Sequence, residues 1–162
     1  MSTNVTDAIR TLLDGAGVIY RTVQHAPTTT SEESAKARGE PLHIGGKAIL
    51  LKTDDVFRLF VLPANRKLDS AAVKRQLGVK KTRFATPEEL LQQTGLVPGS
   101  VPPFGPPVLP FELFVDEALK EDDRIAFNAG SLTTSFVVPM ADYLRVANPR
   151  VFRFSALNEP EA

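Results

Sequence analysis

The 162-residue sequence predicts one mixed α/β domain, with strands and short helices interspersed along the chain. Three observations carry this reading. Apolar runs flank an Asp54-Asp55 turn in the pattern of a β-hairpin. Helix starts with recognisable caps fall between strand-like runs. A hydrophobic content of 43% over this length supplies one core, hardly two. Residues 1–155 are read as the domain and 156–162 as a flexible tail, fraying from Asn158.

The elements follow in order. Val5, Ala8, Ile9, Leu12 and Leu13 recur at helical spacing, and Gly15 and Gly17 end that helix. Residues 18–23 alternate as a short strand, broken by His25-Ala26-Pro27. Thr28 to Ser31 offer caps to a helix running to about Arg38, with Glu32 and Glu33 in its first turn, where the helix dipole favours negative charge. Gly45-Gly46 precede a strand over 47–52, which returns over 57–62. Asp69 caps a helix through Leu77, ended by Gly78. Thr86-Pro87-Glu88-Glu89 opens another helix, with a cap, a proline at the first helical position and acids after it, and it stops near Thr94-Gly95. Six prolines (98, 102, 103, 106, 107 and 110) exclude regular structure over 98–110. Strands are expected over 111–115, 124–127 and 133–138. A helical turn over 116–119, capped by Asp116, and a helix over 139–144 complete the chain.

Composition excludes several function classes. There is no cysteine, hence no disulfide, thiolate metal site or cysteine nucleophile. Only His25 and His43 supply imidazoles, too few for a multi-histidine metal centre. No phosphate-loop lysine motif or dinucleotide glycine fingerprint occurs, and nothing in the pattern requires a metal or organic cofactor. No apolar run is long enough to span a membrane and no signal peptide opens the chain, so a cytoplasmic location is expected. Nineteen basic residues balance nineteen acidic ones, which argues against broad nonspecific binding to DNA or other nucleic acid. The charges are uneven, however. Arg66, Lys67, Lys74, Arg75, Lys80, Lys81 and Arg83 face a single acid, Asp69, in that stretch. This is either a solvated helix face with its following turn or a local phosphate-contacting patch.

Four places could carry chemistry. Lys47 directly follows two glycines at the start of an apolar strand. Its ammonium could hold a phosphate or polarise a carbonyl, or it could simply snorkel from a strand end. Gly99-Ser100-Val101-Pro102-Pro103-Phe104-Gly105 is a proline-stiffened bend with glycine at both ends, suited to presenting backbone amides to a polar ligand. The alternative is a stiff surface loop. His25, at a strand end, could orient substrate or move a proton, or bond nearby backbone. Asn128-Ala129-Gly130-Ser131 forms a second glycine-containing turn before a strand. Ser131 lacks a nucleophile-elbow signature, so a serine-hydrolase triad is not indicated.

These pieces, in this order, resemble the YbaK/ProXp family, the free-standing relatives of the editing domain inserted in bacterial prolyl-tRNA synthetase. The resemblance runs from Tyr20 to Leu144 and rests on an ordered set of motifs. They are His25-x-Pro27, Lys47-Ala-Ile-Leu-Leu, Asn65-Arg66-Lys67-Leu68-Asp69, Leu77-Gly78 with Ala85-Thr86-Pro87-Glu88-Glu89-Leu90, and Thr94-Gly95 with Pro98 through Gly105. Val115-Asp116-Glu117-x-Leu119 and Gly130-Ser131 complete the set. The resemblance implies a mixed β-sheet curling toward a partial barrel, flanked by helices. It implies hydrolysis of the ester joining a wrong amino acid to the 3′-terminal adenosine of a tRNA, with mischarged aminoacyl-tRNA as partner and a synthetase as a possible recruiter. On this resemblance Lys47 supports catalysis and contacts the terminal nucleotide. The Gly99–Gly105 loop holds the ribose and ester, Asn128, Gly130 and Ser131 wall the amino-acid pocket, and the basic segment meets the acceptor stem.

An aminoacyl ester is already activated. Water can attack it without a covalent enzyme nucleophile, provided the site positions the water and stabilises the oxyanion. Ala48 and Ser135 depart from the patterns of alanine-specific and cysteine-specific members, and a small residue (alanine, serine or threonine) is expected as the group removed. Two other classes remain open: a catalytically silent tRNA- or synthetase-binding module of the same fold, and a hydrolase of other activated esters.

Overall fold

The computed structural model describes residues 4–157. Helix α1 (Val5–Gly15) starts at Asn4, whose side chain accepts the Asp7 N–H, and buries Ile9 and Leu13. Strand β1 (Arg21–Gln24) is shorter than the strand expected from residue 18. The end of α1 accounts for the difference. Val18 N–H donates back to the Leu13 carbonyl and Gly17 N–H to Asp14, so these residues finish the helix cap and cannot yet join a ladder. Helix α2 (Ser31–Arg38) is capped by Thr30 and ends at Gly39 in the left-handed region.

The predicted hairpin is formed by β2 (Gly46–Thr53) and β3 (Val56–Pro63), in register from Gly46 opposite Pro63 to Thr53 opposite Val56. Then follow β4 (Arg66–Leu68), α3 (Ser70–Leu77) capped by Asp69, β5 (Thr82–Phe84) and α4 (Pro87–Thr94). Thr86 and Glu89 make a reciprocal capping box at the start of α4. After the proline-rich loop come β6 (Leu113–Asp116), a 3₁₀ turn (Glu117–Glu121), β7 (Arg124–Asn128) and β8 (Thr134–Pro139). The chain closes with α5 (Met140–Ala147), β9 (Arg150–Phe152) and β10 (Ser155–Leu157).

Three sheets result, in the orders β1-β8-β7, β10-β4 and β5-β2-β3-β6-β9. The five-stranded sheet is mixed, because β6 runs parallel to both β3 and β9 while the other pairs are antiparallel. A single parallel bridge, Gly45 to Ala126, joins it to the β7 edge of the first sheet. Close approach there requires glycine: a Cβ on Gly46 would lie 2.5 Å from Ile125 Cδ1. The sheets curve around shared apolar contents without closing a continuous ladder, which matches the expected partial barrel.

Four short strands, β4, β5, β9 and β10, go beyond the sequence expectation. Three residues carry too little alternation to be read. The tail drawn from residue 156 is corrected by β10: Ala156 pairs with Lys67 and Leu157 with Arg66. Residues 158–162, where fraying was expected, lie outside the described residues. Asp116 does cap the 3₁₀ turn through the Ala118 N–H, but it is also fully buried. Its carboxylate accepts the Phe154 N–H at 2.7 Å and the Ser155 hydroxyl at 2.6 Å, tying the chain end to the sheet.

The core has two main parts. One gathers Phe60, Phe114 and Phe154, with Phe60 and Phe114 rings stacked at 5.0 Å. The other contains Phe104, reached from the proline-rich loop, edge-on to Phe127 and Tyr143. The Tyr143 hydroxyl donates to the Pro103 carbonyl at 2.7 Å. Burying Phe104 contributes about 2 to 3 kcal/mol and pins the loop against β7 and α5.

Candidate active site

A cavity of about 230 Å³ opens between the start of α2, the start of β2, the first residues of the proline-rich loop and the end of β7. Thr28 to Ser31 and Ser34 line one side, Gly45 to Ala48 another, and Gly99, Val101 and Asn128 a third. Two cations face it, Lys47 and Arg38, and no carboxylate among the described residues lines it.

Lys47 reaches the cavity because it is the second residue of β2, where the strand leaves the two glycines. Its Nζ donates to the Arg66 carbonyl at 3.1 Å, which uses one of three ammonium protons. Burial pushes the ammonium below the ordinary lysine value, and the negative charge of Glu32 acts in the opposite sense.

Arg38, the last residue of α2, is buried and has no direct carboxylate contact. Its Nε donates to Ser135 Oγ at 2.9 Å and its Nη2 to Asn128 Oδ1 at 3.1 Å. Burial pushes the guanidinium down to about 10, opposed by the charge of Glu40, so it stays cationic at neutral pH. Ser135 Oγ also donates to Asn128 Oδ1, and Asn128 Nδ2 donates to the Gly99 carbonyl at 2.8 Å. The guanidinium thus orients an asparagine, and the asparagine holds the loop. Behind Arg38, Glu40 binds both Arg21 of β1 and Arg124 of β7.

No serine nucleophile is assembled among the described residues. His25 Nε2 lies 2.8 Å from Ser135 Oγ, but Ser135 is fully buried and its oxygen is engaged by Arg38 and Asn128. The other ring nitrogen of His25 faces the Ala26 carbonyl rather than a carboxylate. What the cavity can do is bind a polar, electron-rich group between two cations and position water against it.

The aminoacyl-tRNA editing domain model matches residues 25–146. The chain belongs to that family. The editing-domain protein is 35% identical over 149 residues to the multifunctional Ser/Thr-tRNA deacylase ProXp-y of Escherichia coli strain K12, covering 88% of each chain. It is 32% identical over 108 residues to a proline–tRNA ligase of Shouchella clausii, covering 67% of this chain and 19% of the ligase. Among solved structures, a candidate trans-editing enzyme for prolyl-tRNA synthetase superposes with a TM-score of 0.81. It is 23% identical and covers 96% of this chain and 99% of that one, a likeness of fold.

The editing domain brings only part of the sequence-predicted set into the cavity. Lys47, Gly99, Val101 and Asn128 line it. Ser100 is buried beneath the loop, its hydroxyl donating to the Val97 carbonyl. Pro102, Pro103, Phe104 and Gly105 lead into the core: an added Cβ on Gly105 would meet the Phe111 carbonyl at 2.7 Å. Gly130 packs on Val5 of α1, and Ser131 Oγ pairs with Thr133 Oγ1 outside the cavity. His25 stands behind the wall, touching Ser135.

The basic segment is split by the fold. Arg66 donates to Ser155 and walls a depression near Asp116, Lys67 and Lys74 wall another beside β5, and Lys80 and Lys81 a third with Asp54 and Asp55. Arg75, also in the basic segment, lines none of these depressions. Arg38, Thr28 and Ser34 were missed. An arginine at the end of a polar helix reads as solvated, and only its burial marks it. Thr28 reads as one of four candidate caps and Ser34 carries no signal inside the helix, whereas their hydroxyls pair at 2.8 Å in the cavity wall.

Proposed function

We propose that this protein is a trans-editing deacylase that hydrolyses the ester between a small misplaced amino acid, serine or threonine, and the 3′-terminal adenosine of a tRNA. One observation carries the reading: a small cavity facing one buried and one half-buried cation, Arg38 and Lys47, walled by hydroxyls and by the Gly99 loop, with no carboxylate and no assembled nucleophile among the described residues. At about 230 Å³ it is smaller than pockets that enclose drug-sized ligands, and it suits an aminoacyl end rather than a whole nucleotide.

In this mechanism Lys47 anchors the terminal nucleotide or the ester carbonyl. The Gly99 and Val101 backbone faces the developing oxyanion, and a water attacks with a ribose hydroxyl of the substrate relaying its proton. The chain's own residues do not form a covalent intermediate. The Thr28–Ser34 hydroxyl pair supplies hydrogen-bond partners for a side-chain hydroxyl, and such pairing discriminates far better than a methylene. The Ser/Thr label of the Escherichia coli relative supports the same choice. The partner is then aminoacyl-tRNA rather than DNA, met in the cytoplasm. No helix among the described residues is long and apolar enough to cross a membrane.

The test is deacylation of tRNAs mischarged with alanine, serine, threonine or cysteine, comparing wild type with Lys47→Ala. Seryl and threonyl esters should disappear well above the spontaneous rate with wild type only. Survival of all four at the spontaneous rate would reject the reading in favour of a silent binding module.

A further inference from the structure

The cavity does not end at Gly99. Over Ala48, Gly99 and Val101 it continues into a second depression of about 160 Å³, whose far wall includes Phe84. Phe84 also walls a third depression, which holds Lys67 and Lys74. That one shares Lys74, Thr82 and Arg83 with a fourth, where Lys80 and Lys81 stand. One track therefore leads from the candidate site, past an aromatic ring, to a row of lysines.

Phe84 is anomalous in this chain. Of ten phenylalanines and two tyrosines, it alone is exposed, at 60%. Its backbone is held rigidly all the same. It lies opposite Leu51 on β5, the edge strand, and the next residue, Ala85, donates to the Leu50 carbonyl at 2.9 Å. The charges around it are asymmetric. Arg83 is committed to Glu89, and Asp54 accepts from the Lys80 and Lys81 backbone N–H groups. Lys74 forms no ion pair among the described residues. A rigid exposed ring between a cavity and a line of lysines matches a single-stranded nucleic acid, in which bases stack on aromatics and phosphates follow cations.

We propose that Phe84 is a stacking platform for an unpaired base of the tRNA 3′ end, with Lys67, Lys74 and Lys80 receiving the phosphates of the adjoining acceptor stem. This rests on the editing reading for the identity of the RNA. The path implies that the aminoacyl end enters the cavity while the unpaired bases of the 3′ end cross β5.

The test uses two labelled RNA hairpins with the same acceptor stem, one carrying the unpaired 3′ end and one trimmed to a blunt end. Wild type should bind the first about tenfold more tightly. Phe84→Ala should abolish that difference by weakening only the tailed hairpin, and Phe84→Trp should restore it. Lys74→Ala should weaken both hairpins alike and flatten the salt dependence. Thermal melting of each variant checks the fold, which an exposed ring should leave unaltered.

Equal binding of both hairpins by wild type, or tailed-hairpin binding unchanged in Phe84→Ala, overturns the proposal. The latter result would assign the ring to a protein contact instead. These outcomes are separate from failure of the editing reading, which is judged by turnover of mischarged tRNA.

Discussion

Asn128 Nδ2 donates to the Gly99 carbonyl across 2.8 Å, joining residues 29 positions apart and fixing the loop against the end of β7. The same side chain accepts from Arg38 and Ser135 through Oδ1, so one amide connects α2, β7, β8 and the proline-rich loop.

Asn128→Asp keeps the acceptors and removes the donor. It should therefore retain the Arg38 contact while releasing Gly99, whose carbonyl would face a carboxylate. The expected outcome is a loss of deacylation of tenfold or more at a stability cost of about 1 to 3 kcal/mol. Asn128→Ala should lose similar stability by a different route, leaving the Arg38 guanidinium short of an acceptor. Urea unfolding and single-turnover deacylation on both variants check this. Full activity in Asn128→Asp would show that the Gly99 contact does not position the loop.

Lys47 sets an alkaline limit. Its folded pKa lies below the unfolded value because of burial, so as pH rises the folded protein loses this proton first. Activity that needs the ammonium should fall as pH passes through the folded value, below the ordinary lysine range near 10.5. Stability responds in the opposite sense. Between the two pKa values the unfolded state binds more protons, so the cost of burying the charge is relieved as pH rises through that window. Rates corrected for spontaneous ester hydrolysis should show the falling limb, and Lys47→Arg, if active, should move it upward. An unmoved limb would assign the titration to another group.

Glu40 bridges Arg21 at 2.7 Å and Arg124 at 2.8 Å. Burial acts to raise its pKa, but the hydrogen bonds from Arg124 and Arg21 outweigh it and hold the carboxyl below its usual value. The stabilisation is therefore complete above the unfolded carboxylate pKa of 4.5 and is lost as pH falls through the lower folded value. Glu40→Gln should be less stable by about 1 kcal/mol at pH 7, since both arginines are partly exposed and screened. The difference should narrow as pH falls through the folded value. Melting curves at pH 7 and pH 3 distinguish this from a packing defect, which would persist at both.

Much of the architecture is written in local chemistry. Asp69 with Gly78 bounds α3, Thr86 with Gly95 bounds α4, and the Thr28–Ser31 run brackets the start of α2, which Thr30 caps. The β2–β3 hairpin follows from apolar runs on either side of Asp54-Asp55. Lys47 and Gly99 are legible for a related reason: a lysine after two glycines and a glycine in a proline-stiffened bend are locally unusual. The ordered motifs likewise carry the family. The three-residue strands were not legible, because their partners, such as Arg66 for Leu157, are remote in sequence.

The amino-acid sequence alone determined the starts of the first four helices, the hairpin, the absence of thiol chemistry and the family, because each depends on neighbouring residue types; α5 runs to Ala147, past the expected end at Leu144. The tertiary structure alone decided which polar groups face the cavity and which support it. Arg38 and Ser34 belong to a helix with no apolar stripe, and only packing against Asn128, Ser135 and Thr28 takes them out of water. The fold also divided the Gly99–Gly105 loop, leaving Gly99 and Val101 at the cavity and sending Phe104 inward. Burial, desolvation and hydrogen bonds between distant residues arise when strands meet, and no window of sequence contains them.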